Sequence, residues 1–166
     1  MIDHVIGIDP GPIPGIVMLT PKFHPGGRTQ LLPDVVQCSA STAPVVLYSL
    51  LNEIRGHQKS GGRAPALVQI ERFVVGRASM RGGKAGEQTR DLIGRLQREA
   101  DAQPNVSVVM RSANEVKAWA TDARLEAAGL LEATKGMRHA KDACRHALFA
   151  AVKDGGIPDP LSRRNS

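Results

Sequence analysis

The run Val5-Ile6-Gly7-Ile8-Asp9-Pro10-Gly11 constrains this chain more than any other feature. Its first four residues read as a buried strand, and the strand closes on a carboxylate followed at once by a turn. An ionised acid avoids the end of a buried strand unless it is paired or bound to a cation. The pattern recurs at Ala66-Leu67-Val68-Gln69-Ile70-Glu71. If those strands are neighbours, two carboxylates lie side by side at one sheet edge. Their repulsion raises at least one pKa unless a cation intervenes, and hard oxygen donors suit magnesium or manganese.

The remaining elements follow from periodicity and breakers. Ile16-Val17-Met18-Leu19 is a second strand, joined to the first by the breaker-rich turn Pro10–Gly15 as an antiparallel hairpin. Pro25-Gly26-Gly27 is a further turn, and Leu31–Gln37 a third strand, weakened by Pro33. Thr42 caps a helix along which Val46, Leu47, Leu50, Leu51 and Ile54 keep a helical period, and Gly56 ends it. A polar loop, 57–65, precedes the strand that carries Glu71. Beyond a basic, glycine-rich stretch at 74–86, a helix over about 85–102 buries Leu92, Ile93, Leu96 and Ala100. Val106–Met110 is the fifth strand. Ser112-Ala113-Asn114-Glu115 has capping-box form and starts a short helix through Trp119. Residues 121–134 are less regularly helical. The last helix covers about 138–153, stopped by Gly155-Gly156-Ile157-Pro158. This order predicts an α/β fold: a mixed five-stranded sheet, its first three strands antiparallel, flanked by helices on both faces. One domain over 1–154 and a polar tail over 155–166 are expected.

The last helix supplies a third acid. Ala140, Ala143, Cys144, Ala147, Leu148 and Ala151 share one face, and Asp142 lies almost opposite, with His139, His146 and Phe149 beside it. An ordinary solvent face would carry lysine and glutamate. The expectation is that both sides are covered, with the Asp142 side turned toward the edge that bears Asp9 and Glu71. His139, three residues before Asp142, can reach the same place, as a metal ligand or to position a water. His146 stands further along, at most an outer partner. Each residue also has an ordinary reading. Asp9 could serve the Pro-Gly turn, Glu71 could pair with Arg72, Asp142 could be solvated, and His139 could hydrogen-bond near the helix start.

Charge narrows the class of partner. The 166 residues carry 22 Lys and Arg against 16 Asp and Glu, a formal charge of +6, which favours a polyanion, nucleic acid first. Arg72, Arg77, Arg81 and Lys84 follow Glu71 in a loop with Gly76, Gly82, Gly83 and Gly86; Lys117, Lys135, Arg138 and Lys141 surround the approach to the last helix. Such side chains could track phosphates, reading shape rather than sequence; a merely solvated loop is the alternative. Gly83-Lys84 does not make a nucleotide-binding phosphate loop: Ala78 stands where its first glycine belongs and Ala85 where Ser or Thr is required. No nucleotide cofactor is therefore expected. No apolar run is long enough to span a membrane. Two cysteines without ligand spacing, Cys38 and Cys144, suit reduced thiols, and the opening strand leaves no room for a signal peptide; a cytoplasmic location is expected.

These residues resemble the RuvC family of Holliday junction resolvases, within the RNase H-like nucleases. The resemblance rests on Gly7-Ile8-Asp9-Pro10-Gly11 with Gly15, on Ile70-Glu71 at a strand end, and on His139-Ala140-Lys141-Asp142-Ala143 opening the last helix. It extends from residue 5 to about 152. It implies an RNase H-like fold, a homodimer, and paired nicking of four-way DNA junctions with magnesium or manganese, two ions per site. It carries catalytic and metal-binding roles onto Asp9, Glu71, His139 and Asp142; the family more often has aspartate where His139 stands. Pro12 and Pro14 depart from its usual small polar turn. Phe73 lies near where the family places an aromatic that probes the junction centre. The short, basic chain would also fit a bacteriophage member. Two other readings stay open: an RNase H-like nuclease for structured RNA, and a junction-binding module without catalysis. An actin-like ATPase shares the opening turn but needs two such domains.

Overall fold

A computed structural model of the protein describes residues 2–25, 28–57, 66–74 and 83–162. The elements are β1 (His4–Asp9), β2 (Gly15–His24), β3 (Arg28–Gln37), α1 (Ala43–His57), β4 (Ala66–Glu71), α2 (Gly83–Asp101), β5 (Val106–Arg111), α3 (Ala113–Trp119), α4 (Asp122–Ala127) and α5 (Arg138–Lys153), with a 3-10 turn at Glu132–Thr134. One sheet holds the strands in the order β3-β2-β1-β4-β5. β1 pairs antiparallel with β2 and parallel with β4, and β4 pairs parallel with β5. This is the mixed five-stranded α/β arrangement expected.

β2 and β3 are longer than their apolar patterns imply. Their ladder runs from Gly15↔Gln37 to His24↔Arg28, with Pro33 opposite Leu19. β3 is an edge strand, where a residue without an N–H costs least. Gly26 and Gly27, of the expected turn, lie outside the described residues.

Alternation along the strands divides the core into two layers. Ile6 and Ile8 of β1 and Ala66, Val68 and Ile70 of β4 pack under α1 and α2, with Leu47, Leu51, Ile54, Leu92 and Leu96. Val5 and Leu67 face the other way and pack under α5, with Ala143, Ala147, Leu148 and Ala151. Gly7, Asp9, Gln69 and Glu71 share that second face by the same alternation. Trp119 and Phe149 meet edge to face, centroids 5.4 Å apart, where α3 covers the outer side of α5. Both sides of α5 are thus covered, as expected. The capping box is half built: Ser112 accepts from the Glu115 amide at 3.3 Å, but the Glu115 carboxylate pairs with Arg111. Among the described residues, no helix is long and apolar enough to cross a membrane.

Candidate active site

Two strand ends and one helix build the site. β1 and β4 run parallel with Ile8 opposite Ile70, so the next residues along, Asp9 and Glu71, are neighbours on the face that α5 covers. α5 can cross that face closely because β1 and β2 present glycine to it. A Cβ on Gly7 would stand 2.1 Å from the Ala143 carbonyl oxygen and 2.3 Å from the Ala147 nitrogen; one on Gly15 would stand 2.2 Å from the His139 oxygen. The first two turns of α5 therefore lie directly over the hairpin that ends in Asp9. This close approach explains physically why glycines flank the acid in the sequence.

The start of α5 is tied down from a third strand. Met137, its N-cap, makes no side-chain cap bond. The Gln37 side-chain oxygen, at the end of β3, instead accepts from the His139 and Ala140 amides at 3.2 and 3.4 Å. Those amides are among the donors that a helix start leaves unpaired. Replacing Gln37 with alanine should cost about 1 kcal/mol, as loss of an N-cap does. It should also loosen His139; thermal melts of the variant check the first effect. A melting temperature equal to wild type would mean that water replaces the amide without loss.

His139 reaches Asp9 from this anchored turn, Nδ1 to Oδ2 2.8 Å apart. An ionised carboxylate only accepts, so Nδ1 carries the hydrogen, and in the neutral ring Nε2 keeps its lone pair. Gly11 lies against the ring: a Cβ there would meet the imidazole Cε1 at 3.1 Å. Asp9 is buried, 8 % exposed. Burial pushes its carboxyl above the usual carboxylate range; the His139 bond pulls it down, and the charges of Glu71 and Asp142 push it up again. The three acids are thus close enough for their charges to interact.

Asp142 is paired more fully than its position in the sequence suggests. Lys117 Nζ of α3 donates to its Oδ2 at 2.8 Å, and Arg145, one turn on, donates to its Oδ1. Burial alone would raise its carboxyl, but Lys117 and Arg145 outweigh this and hold it below the usual range. Arg145 also reaches Asp122 at 2.6 Å, and Lys141 reaches the same carboxylate at 2.7 Å. Glu71, further out, accepts from His146 Nε2 at 3.1 Å. Among the described residues, no three His, Cys, Asp or Glu side chains are grouped closely enough to enclose one ion.

The basic residues singled out in the sequence fall into three groups. Arg72, Lys84 and Arg138 are all exposed, just beyond β4, on the first turn of α2 and at the start of α5. Lys117, Lys135 and Lys141 are already engaged, by Asp142, Glu132 and Asp122 respectively. Arg77 and Arg81 lie outside the described residues. Phe73 is half-buried against the α1–α2 layer, with the Arg90 guanidinium 5.6 Å from its ring centre. Sequence reasoning missed Gln37, Gln69 and Arg145. Arg145 was findable, three residues after Asp142 on a helix, and so was Gln69, a polar residue inside an apolar strand.

No protein-family model matches the chain, and no curated protein sequence matches it. Solved structures do. A Thermus thermophilus RuvC structure is 21% identical, with a TM-score of 0.56, over 89% of this chain and 93% of that one. T. thermophilus RuvC in complex with Holliday junction substrate is 19% identical, with a TM-score of 0.54, over 90% of this chain and 96% of that one. This chain has the RuvC-like, RNase H-like fold across nearly its whole length.

Proposed function

We propose that this chain is a divalent-metal-dependent endonuclease that nicks branched DNA, four-way junctions above all, leaving 5′-phosphate and 3′-hydroxyl ends. The observation that carries the reading is that Asp9 and Glu71 end adjacent strands beside the helix that carries His139 and Asp142. These strands run parallel, and α5 brings His139 to within 2.8 Å of Asp9, with Asp142 one turn along the same helix. The shared fold supports it, since one solved structure of that fold is a complex with Holliday junction substrate.

The donor chemistry fits magnesium or manganese: carboxylate oxygens and one imidazole nitrogen, around an acid destabilised by its neighbours. Asp9 and Glu71 would hold the metal; His139, whose Nδ1 now bonds Asp9, would join as a ligand only by giving up that bond. Asp142 would join only by giving up Lys117 or Arg145. When bound, one or two such ions lower the pKa of water and stabilise the leaving oxygen. The protein's own groups do the rest. The Asp9–His139 bond fixes the ring, and Gly11 leaves it room. Lys117 and Arg145 keep Asp142 ionised. Arg72, Lys84, Arg138 and Lys141, with Phe73, Lys135, Arg77 and Arg81, would engage the DNA flanking the cut, mainly through phosphates. Paired cuts across a junction require two sites, so a homodimer belongs to this proposal, with α2 as the candidate dimer face.

Incubation of the protein with a labelled four-way junction in magnesium, manganese or chelator tests the reading. Symmetric, ligatable nicks in either metal and none in chelator are expected. Binding without nicking in any metal would reduce the protein to a junction-binding module. Faster cutting of RNA hairpins than of DNA junctions would move its substrate to structured RNA.

A further inference from the structure

Behind Glu71 lies a buried polar pair that the site as described so far does not use. His146 of α5 has no exposed surface, and neither does Gln69 of β4. Gln69 Nε2 stands 2.9 Å from His146 Nδ1, and His146 Nε2 stands 3.1 Å from Glu71 Oε2. Gln69 and Glu71 are two apart on one strand, so they point to the same face, and His146 bridges them from above. A simple buried histidine would not need this arrangement. The apolar neighbours Leu67, Ala143 and Ala147 show what that layer otherwise selects.

The hydrogens can be assigned from the acceptor end. The Glu71 carboxylate can only accept, so His146 must place a hydrogen on Nε2. In a neutral ring, Nδ1 is then a bare acceptor, and only the amide N–H of Gln69 can satisfy it. That orientation turns the Gln69 oxygen into the interior, where it has no hydrogen-bond partner. A buried acceptor left unpaired is costly, and an apolar residue at this position would avoid the cost. Glutamine is therefore accounted for by what its N–H does to His146.

We infer that Gln69 and His146 form a positioning relay, in which Gln69 selects the Nε2–H tautomer of His146 and His146 aims the Glu71 carboxylate toward Asp9. The inference rests on the proposed function, since it makes Glu71 a metal-holding group and His146 the group behind it. His146 and Gln69 are positioning residues; neither reaches the reacting atoms. Outer partners of this kind orient ligands, and their loss typically weakens metal binding or activity roughly 10–100-fold.

Two measurements test the relay. Long-range 1H–15N spectra of the metal-free protein should show the His146 ring protonated at Nε2 and bare at Nδ1; a ring protonated at Nδ1 would overturn the inference whatever the enzyme does. Calorimetric titration with Mn2+ should show His146→Leu binding roughly 10–100-fold more weakly than wild type, with four-way-junction binding in chelator unchanged. His146→Gln, which keeps an N–H donor within reach of Glu71, should recover most of that loss. Gln69→Leu should weaken Mn2+ in the same direction. Wild-type affinity in His146→Leu, beside a wild-type protein that binds Mn2+ and nicks junctions, would overturn the relay and leave the proposed function standing. A wild-type protein that neither binds Mn2+ nor nicks would overturn both.

Discussion

Asparagine in place of Asp9 is expected to reduce junction nicking on the order of a thousandfold or more, while binding to the junction survives. The substitution keeps the shape of the side chain and an oxygen that can accept from His139 at the 2.8 Å contact. It removes only the negative charge, which the proposed mechanism needs and the folded protein opposes. Burial and the charges of Glu71 and Asp142 raise the Asp9 carboxyl above its usual range. A carboxyl raised on folding favours the folded state most at low pH, below its unfolded value of about 4, and that contribution is lost as pH rises through the raised folded value. In chelator, Asp9→Asn should therefore melt above wild type at neutral pH, and the gap should close as pH falls toward about 4. Nicking assays in magnesium and a melting series in chelator measure both effects. A variant that still cuts at the wild-type rate would remove Asp9 from the chemistry. A variant equally stable at every pH would mean that Asp9 carries no electrostatic stress.

The largest structural effect is expected from Gly7. Alanine there would place its Cβ 2.1 Å from the Ala143 oxygen and 2.3 Å from the Ala147 nitrogen, both backbone atoms of α5. Backbone atoms cannot rotate aside as a side chain can, so the helix must lift from the sheet. Overpacking a core costs about 1–3 kcal/mol and sometimes more; this contact belongs at the upper end. For a domain of this size that lowers the melting temperature by roughly 10 °C. Lifting α5 also draws His139 and Asp142 away from Asp9, so nicking should fall even at temperatures where the variant is folded. Gly94→Ala is the matched control. It lies inside α2, where a Cβ would meet only the Arg98 side chain at an ordinary 3.5 Å. It should gain up to about 1 kcal/mol from helix propensity. If Gly7→Ala melts with wild type, α5 does not lie on β1 as closely as described.

These two experiments also separate what local pattern encodes from what packing adds. The strand-end acids were legible because apolar runs are short and end abruptly on Asp9 and Glu71. The two-sided last helix was legible because His139, Asp142, His146 and Phe149 break the polar face that a surface helix needs. The opposing glycines were visible as motif letters, but their reason was not: nothing local says that the α5 backbone crosses at Gly7 and Gly15. The partners of Asp142 were half legible. Arg145 follows at helical spacing, whereas Lys117 belongs to another helix, and its charge alone suggests a phosphate contact rather than a bond to Asp142. Gln37 and Gln69 carried no signal beyond a polar side chain near a strand end or within a buried strand.

By itself, the sequence determined the α/β class, the strand and helix order, the buried stripes of α2 and α5, and the candidate acids, because all of these follow from periodicity and from the cost of burying a charge. Only the tertiary structure decided that β1 lies beside β4, that α5 rests on two glycines with its start held by Gln37, and that Lys117 and Arg145 share Asp142 while His146 backs Glu71. Those are contacts between residues far apart along the chain. They depend on register and on the distance at which one backbone can approach another, quantities that no short stretch of residues encodes.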